Sequence, residues 1–435
     1  MSFLAILGYL MIITFMTLMM RKKMSPFTSL LIVPLVYGFI GGFGTNLGKY
    51  AIVGVKTVVP TAMLLVFSLL FFSVLVDTGM FDPVVKKIIK ICKGDPLKVI
   101  IGTACIVGFI SIDGDGSSTY VIICAAMLPI YKKLGINPMI LAIITIIQNG
   151  AWNILPWGGP TARVLVGLNV EAGEIMWAYY PAMLAVTFYG IFVAYILGRR
   201  ERKRIGIIHL SDEELDGLSQ MGGDEVNNYK RPKFVVVNFI LTGAIMATII
   251  ADVYPPGFVF GIGAALALII NYPKISIQKQ LIEKHASNAF PILCTIFAAG
   301  CFMGIFGETK MTTAIAQHLV SIIPPSMGSH LGVITALISI PGAVALSNEG
   351  FYLGIVPILA KTAATYGFTN PQIGIAALTG QAFHLMSPLV ASVYILIQLT
   401  GADDTTFRLR SAAWSIPIYG IYFVFVFFIM KAVPL

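Results

Sequence analysis

Charged residues are scarce in this sequence. Of its 435 residues only 11% are Asp, Glu, Lys or Arg, whereas a typical soluble domain has about 25%. Hydrophobic residues make up 57%, and long apolar runs recur from one end to the other. Apolar runs of about 20 residues are long enough to cross a bilayer as helices. The composition therefore excludes an ordinary soluble domain and predicts an all-α polytopic membrane protein.

Cysteine pairs and catalytic motifs are also lacking. The five cysteines have no CxxC spacing, which argues against a disulfide framework and against a zinc site. The sequence contains no HExxH, no GxSxG and no glycine-rich phosphate loop with its lysine. Those motifs are typical of metalloproteases, serine hydrolases and nucleotide-binding enzymes. We therefore predict that the protein is not an enzyme and holds no permanently bound cofactor.

The net charge of +9 indicates membrane topology rather than nucleic-acid binding. A path of alternating crossings places 23 of the 29 Lys and Arg residues on one side, five on the other, and Arg163 inside a membrane segment. The positive-inside rule makes the first side the cytoplasm. We expect a multi-pass protein of a bacterial plasma membrane, surrounded by lipid and without a nucleic-acid partner.

The apolar runs predict ten crossings and two shorter features. The crossings lie near 2–20, 26–43, 58–79, 138–167, 175–198, 233–252, 256–271, 287–306, 371–400 and 411–433. Two further apolar pairs, 97–131 and 327–363, have members of roughly 12 to 15 residues, fewer than the 20 or so that a crossing needs. We predict that each pair is a re-entrant hairpin, which enters and leaves the membrane on one side.

Short sequence elements recur at a spacing of 232 to 234 positions, which indicates an internal duplication. The recurring pairs are Asn137–Pro138 with Asn370–Pro371, Asp115–Gly116 with Glu349–Gly350, and Leu155–Pro156 with Ser387–Pro388. The predicted units are a first repeat, 1–198, a charged cytoplasmic linker, 199–232, and a second repeat, 233–435. Each repeat has five crossings and one hairpin, and because five is odd the second repeat is inverted. Inverted repeats with broken membrane helices characterise secondary transporters.

Polar residues interrupt the apolar pattern at four places. The hairpins carry "SIDGDGSST" at 111–119, here named the first tip, and "ALSNEGFY" at 345–352, the second tip. Two crossings are interrupted by "NILPWGGPTAR" at 153–163, the first break, and by "GQAFHLMSPLVAS" at 380–392, the second break. Glycine and proline free backbone groups that hydrocarbon cannot satisfy, so such backbone survives only around a polar cavity. We expect the four stretches to converge on a substrate site.

Ionisable residues inside a membrane segment indicate a functional site, because a charge in hydrocarbon is costly. Asp113, Asp115 and Glu349 are therefore predicted to bind a metal or to carry a coupling proton. Arg163 is predicted to bind a substrate anion, with a structural ion pair or an interfacial anchor as the alternatives. The predicted substrate-binding residues are Ser117, Ser118, Thr119, Asn153, Gly158, Gly159, Thr161, Arg163, Ser347, Asn348, His384, Ser387 and Ser392. His384 is equally consistent with a packed hydrogen-bond donor.

These four stretches resemble the motifs of the citrate–metal–proton symporter family, within the ion transporter superfamily. The resemblance covers essentially the whole chain, and "NILPWGGPTAR" is its most specific element. Glu349 stands where that family more often has aspartate. The resemblance implies uptake of citrate as a complex with a divalent cation, in symport with protons. It also implies a homodimer that works as an elevator-type transporter.

The charges of the site favour the same chemistry. Citrate has nearly three negative charges at neutral pH, and a pocket with three carboxylates and one arginine would repel it by several kcal/mol in a low dielectric. A divalent cation or protons on the acids would remove that repulsion, and oxygen ligands suit Mg²⁺ or Ca²⁺. The alternatives are a symporter of another di- or tricarboxylate and a cation–proton antiporter. Arg163 and the hydroxyl-rich tips favour an organic anion over a bare cation.

Overall fold

The protein is helical throughout the part of the chain that the structure describes. The computed structural model describes residues 2–21, 23–114, 116–208, 227–251, 253–384, 387 and 390–435, and of these the side chains of Ser117, Ser118, Asn227, Pro325, His384 and Ala391 are left out. No strand occurs in these ranges. The predicted all-α class is therefore confirmed.

Nine α-helices lie in the described residues of the first half. They are α1 Phe3–Met20, α2 Pro26–Ile40, α3 Leu47–Asp77, α4 Asp82–Cys92, α5 Pro96–Ile110, α6 Gly116–Lys133, α7 Pro138–Trp152, α8 Gly159–Leu168 and α9 Ala172–Ile205. Proline opens several of them, where its missing N–H has no partner to lose. Helix α9 continues through Ile205, so the first residues assigned to the linker extend a helix.

The described part of the second half begins with two short 3₁₀ turns, Asn227–Tyr229 and Pro232–Phe234. Its α-helices within the described ranges are α10 Val235–Ile250, α11 Pro256–Asn271, α12 Ile275–Glu308, α13 Met311–Ile322, α14 Pro325–Gly328, α15 Leu331–Ala345, α16 Val356–Ala363, α17 Asn370–Leu378, α18 Gln381–His384, α19 Ala391–Thr400 and α20 Asp404–Val424. Two π-helical stretches, Glu349–Ile355 and Phe425–Ile429, adjoin α16 and α20.

Seven helical segments in the described chain are long and apolar enough to cross a membrane. They are Phe3–Met20, Gly44–Asp77, Pro96–Asp113, Ala172–Ile205, Pro232–Ile250, Ile275–Glu308 and Asp404–Ile429. Helices α2, α7, α11 and α15 are shorter and equally apolar. A multi-pass membrane protein follows from this set. Segment 96–113 reaches 18 residues only when the 3₁₀ turn of the first tip is counted with α5.

Helices α3 and α12 hold equivalent places in the two halves and run antiparallel. Near one end, a Cβ on Gly54 would lie 1.9 Å from the carbonyl oxygen of Gly300, so the two backbones touch. At the other end, Asp77 is buried and accepts hydrogen bonds from Lys284 Nζ at 2.6 Å and His285 Nε2 at 2.8 Å. Both helices begin about ten residues before the crossings predicted from hydropathy.

Candidate functional site: two tips around a broken helix

The first break lies where the glycines and prolines predict it. Helix α7 ends at Trp152 and α8 begins at Gly159. A Cβ on Gly158 would lie 2.1 Å from the carbonyl oxygen of Asn153, so only glycine fits this turn. Thr161 Oγ1 donates to the carbonyl of Ile154 at 2.5 Å and closes the turn from the other side. Close backbone packing and this hydrogen bond therefore hold the break in a defined conformation. Asn153 lies at the edge of the break and is partly accessible.

The first tip is held against this break. It consists of a 3₁₀ turn, Ser111–Asp113, followed by Gly114 in the left-handed region at φ +74°. Trp157 Nε1 donates to the carbonyl of Ile112 at 2.9 Å. Asp113 is 9% exposed, and the buried Thr119 donates to its Oδ1 at 3.4 Å. Two predicted site residues, Asp113 and Thr119, thus lie together beside the break.

Three predicted residues of the first tip are not fully described. Asp115 lies outside the described residues. Ser117 and Ser118 belong to the first turn of α6, but their side chains lie outside the described part of the structure. Their predicted roles stay predictions.

The second tip contacts the same broken helix from another direction. It enters a π-helix at Glu349, and Ser347 Oγ accepts from the backbone N–H of Gly350 at 3.1 Å. Glu349 is 8% exposed and pairs with Arg163 in α8. The guanidinium donates from Nε at 2.8 Å and from its terminal nitrogen at 2.5 Å, both to Glu349 Oε1. Arg163 also donates to the carbonyl of Gly159 at 2.7 Å.

A duplicated tyrosine–amide pair supports each tip, and sequence reasoning missed it. In the first half the buried Tyr120 donates to Asn149 Oδ1 at 3.0 Å, and Asn149 Nδ2 donates to Ser111 Oγ at 3.3 Å. In the second half Gln381 Nε2 donates to the hydroxyl of Tyr352 at 2.5 Å and to Asn348 Oδ1 at 3.4 Å.

The tyrosine–amide pairs had a signal in the sequence. Tyr120 and Asn149 recur as Tyr352 and Gln381 at the 232-position spacing that already relates the two breaks. A search of polar residues at that spacing would have found both pairs. Asn149 lies in the last turn before the first break and Gln381 lies within the second break, so each pair ties a tip to the broken crossing of its own half.

The second break is described in part. Helix α17 ends at Leu378, α18 spans Gln381–His384, and α19 begins at Ala391. Ser387 is fully buried, and Ser392 is partly accessible in the first turn of α19. The side chain of His384 and residues 385, 386, 388 and 389 lie outside the described residues.

The first break stands between the two tips. On one side a Cβ on Gly114 would lie 3.5 Å from the N of Gly158, and on the other side Arg163 pairs with Glu349. Each break also packs across the duplication: α8 lies against the π-helix of the second tip, and α19 lies against α6 behind the first tip. The structure thus places Asp113 and Thr119 on one side of the first break, and Arg163 and Glu349 on the other.

The carboxylate and hydroxyl oxygens on the two sides of the first break are hard ligands. The positive charge of Arg163 is paired with Glu349. No group of three or more His, Cys, Asp or Glu side chains forms a metal centre within the described ranges.

Broken apolar helices that meet at buried charges define a membrane transporter. The sequence matches the model of the citrate transporter family over residues 15–380. The chain belongs to that family, whose members are secondary transporters and not enzymes.

Relatives from Bacillus subtilis (strain 168) match almost the full chain. One, named citrate transporter, is 44% identical over 413 residues, which is 95% of this chain and 96% of that protein. The uncharacterized transporter YraO is 42% identical over 418 residues, or 95% of each chain. A third, named Mg(2+)/citrate complex secondary transporter, is 39% identical over 414 residues, again 95% of each chain. The resemblance to citrate transporters is therefore confirmed.

The fold is similar to that of a solved transporter. The crystal structure of the YdaH transporter of Alcanivorax borkumensis, described as having an unusual topology, superimposes with a TM-score of 0.60. The match covers 91% of this chain and 90% of YdaH, at 14% sequence identity. At that identity the similarity concerns the fold alone.

Proposed function

We propose that this protein takes up citrate as a complex with a divalent cation, in symport with protons, across the plasma membrane of a bacterium. The cation is Mg²⁺ or another hard divalent ion, and it travels as part of the substrate. Asp113, Asp115 and Glu349 contact the metal or carry protons. The hydroxyls and amides of the tips and breaks bind the citrate oxygens.

The ion pair between Arg163 and Glu349 carries this proposal. Arg163 is the one basic residue that the topology places within the membrane, and its charge is already balanced by a buried carboxylate. Asp113 adds a buried carboxyl nearby. Free citrate has a charge of about −3 and would therefore meet no net positive charge in the site. The complex with a divalent cation has a charge of about −1, and its metal ion is itself a positive centre that the acids can contact. The relative named for a Mg(2+)/citrate complex supports the same chemistry.

Proton symport follows from the membrane potential. A negative-inside potential opposes entry of each net negative charge by roughly 2.3 kcal/mol per 100 mV. At least two protons per singly charged complex would make the cycle electrically favourable. The carboxyl groups at the tips are the groups that could carry them.

The antiparallel packing of α3 and α12 supports an inverted-repeat transporter. Equivalent helices that run in opposite directions are what an inverted duplication produces, and the substrate site then lies between the repeats. We extend this to an elevator mechanism and a homodimer, as the family resemblance implies. Single cysteines replacing Lys132 and Lys361, in a cysteine-free background, should label from the cytoplasm and from outside, respectively. Labelling of both from one face would contradict the inversion.

Uptake by proteoliposomes tests the substrate. Labelled citrate should enter only when divalent cations are present, with one or a few metals effective, and an inward proton gradient should accelerate it. A matched measurement uses tricarballylate, which lacks the hydroxyl of citrate and chelates metal less well. Robust citrate uptake with all divalent cations chelated would contradict the metal complex and favour a simple proton–tricarboxylate symporter.

A further inference from the structure

Helix α4 presents a lysine-rich face that the transport site does not use. Its Ile89 and Cys92 are 2% and 3% exposed and pack toward α5. Lys86, Lys87 and Lys90 lie on the other face and are exposed. Residues 86, 87 and 90 fall within one 100° arc of a helix, so their charges act together.

The flank of this face is apolar and also exposed. Ile91, between Lys90 and the buried Cys92, is 59% exposed. A basic face with an exposed aliphatic flank is typical of helices that lie in the membrane interface, where lysine stems cover apolar surface and the ammonium groups reach the headgroups. Lys93 continues the charge past the end of the helix.

The internal duplication shows that helix packing does not require these lysines. The counterpart of α4 in the second half is α13, which packs on α1 and α16 and has no Lys, Arg, Asp or Glu between Met311 and Ile322. The two helices hold the same place in the chain order, and only α4 is basic. The lysines of α4 therefore suit the environment of its exposed face and are not needed for packing on neighbouring helices.

Helix α4 is also the connection between two packed groups. Before it, α3 packs on α11 and α12; after it, α5 packs on α7 and α9. Its first residue is tied to the end of the linker, where Lys230 Nζ lies 2.9 Å from Asp82 Oδ2. A contact between α4 and the membrane surface would fix how deeply this connecting helix lies in the membrane.

We infer that the lysine face of α4 binds anionic phospholipid headgroups at the cytoplasmic surface of the membrane. The charge complementarity is direct, because anionic lipids give that leaflet a negative potential, to which each nearby lysine adds about fivefold in affinity. The cytoplasmic placement of α4 rests on the proposed topology. The contact with lipid is independent of what the protein transports.

Lipid cross-linking tests this inference without relying on uptake. The full-length protein is reconstituted with photoactivatable phosphatidylglycerol or photoactivatable phosphatidylcholine, and the cross-linked peptide that contains α4 is quantified by mass spectrometry. We expect several-fold more product with phosphatidylglycerol. Lys86→Gln/Lys87→Gln should lose most of this preference, because it removes two of the three lysine charges on this face, and Lys86→Arg/Lys87→Arg should keep it.

The matched control removes two exposed lysines elsewhere. Lys49 and Lys56 lie on α3 and are exposed, and Lys49→Gln/Lys56→Gln should leave the preference at α4 unchanged. About 1 M salt, with a Debye length near 3 Å, should weaken the preference. Equal cross-linking of the two lipids to α4, or a preference that survives Lys86→Gln/Lys87→Gln, would overturn the inference. Loss of citrate uptake alone would count against the proposed substrate and not against lipid binding.

Discussion

The two tips share their support but differ in their charges. Both are held by a tyrosine–amide pair, Tyr120 with Asn149 and Tyr352 with Gln381. The acid of the second tip, Glu349, is paired with an arginine from the other half, whereas Asp113 of the first tip accepts from a hydroxyl, that of Thr119. The two tips thus have similar hydrogen-bonded support, and the acid of the second tip is held by an arginine. We expect Asp113 to contribute more to the proposed metal or proton binding than Glu349, whose charge is balanced by Arg163.

Neutralising the acid of the first tip should have the largest effect. Asp113→Asn removes an anionic oxygen from the proposed metal contact, and we expect uptake to fall by more than the 10- to 100-fold that is typical of outer-shell partners. Asp115→Asn should behave similarly. The measurement is initial citrate uptake in proteoliposomes, with melting temperature as the control for folding. Near-normal uptake by Asp113→Asn would contradict the proposed role of Asp113 in binding the metal or carrying a proton.

Breaking the ion pair of the second tip should chiefly cost stability. Arg163→Met leaves the buried Glu349 unpaired, which typically costs about 3–5 kcal/mol. Arg163→Met/Glu349→Gln removes both charges and should recover most of that loss. Thermal unfolding of the purified protein measures both variants, and Asp113→Asn serves as the matched single change at the other tip. An additive double variant would show that the two side chains do not interact.

A conservative change at Arg163 should alter citrate affinity. Arg163→Lys keeps the charge but loses the paired donors that suit a carboxylate. We expect the apparent affinity constant for citrate to rise severalfold while the maximal rate is largely retained. Concentration-dependent uptake measures both. If Arg163→Ala transports with unchanged affinity, Arg163 is a structural partner of Glu349 only.

The smallest effect should come from the tyrosines. Tyr120→Phe and Tyr352→Phe each remove one neutral hydrogen bond, worth about 0.5–1.5 kcal/mol. We expect slightly lower melting temperatures and a shift in citrate affinity, because each tip loses its fixed position. Tyr131→Phe is the matched control, since the buried Tyr131 bonds Thr103 within the first hairpin and away from its tip. Equal effects on affinity from all three changes would contradict a role for the pairs in positioning the tips.

The sequence predicted the helical class, the helix breaks and the family because these follow from local residue chemistry. Two prolines and two adjacent glycines fall within six residues, 155–160, and this cluster placed the first break correctly. Single prolines such as Pro60 and Pro291 lie inside helices and end none.

The starts of α3 and α12 were predicted too late. Their first turns contain lysine and other polar residues that lower hydropathy. Tertiary contacts that hydropathy does not register hold both early segments: Gly54 of α3 packs on Gly300, and Lys284 and His285 of α12 bind Asp77.

The partners of site residues were harder to predict than the residues themselves. Arg163 was identified from its depth in the membrane, but its pairing with Glu349 depends on how the two halves pack. The tyrosine–amide pairs were missed because tyrosine and asparagine in apolar helices have no distinctive local pattern. Only the spacing of 232 positions connects the two pairs.

The pairing of Arg163 with Glu349 has a consequence for how the chain is made. The two residues are 186 positions apart, so at roughly 5–20 residues per second the arginine is synthesised about 10 to 40 s before its partner. A lone arginine at membrane depth costs about 2.5–3.5 kcal/mol. During that interval the nascent first half holds a charge that the bilayer disfavours. A chain that ends before the second tip keeps this exposed charge, which gives membrane proteases a basis for removing unfinished copies.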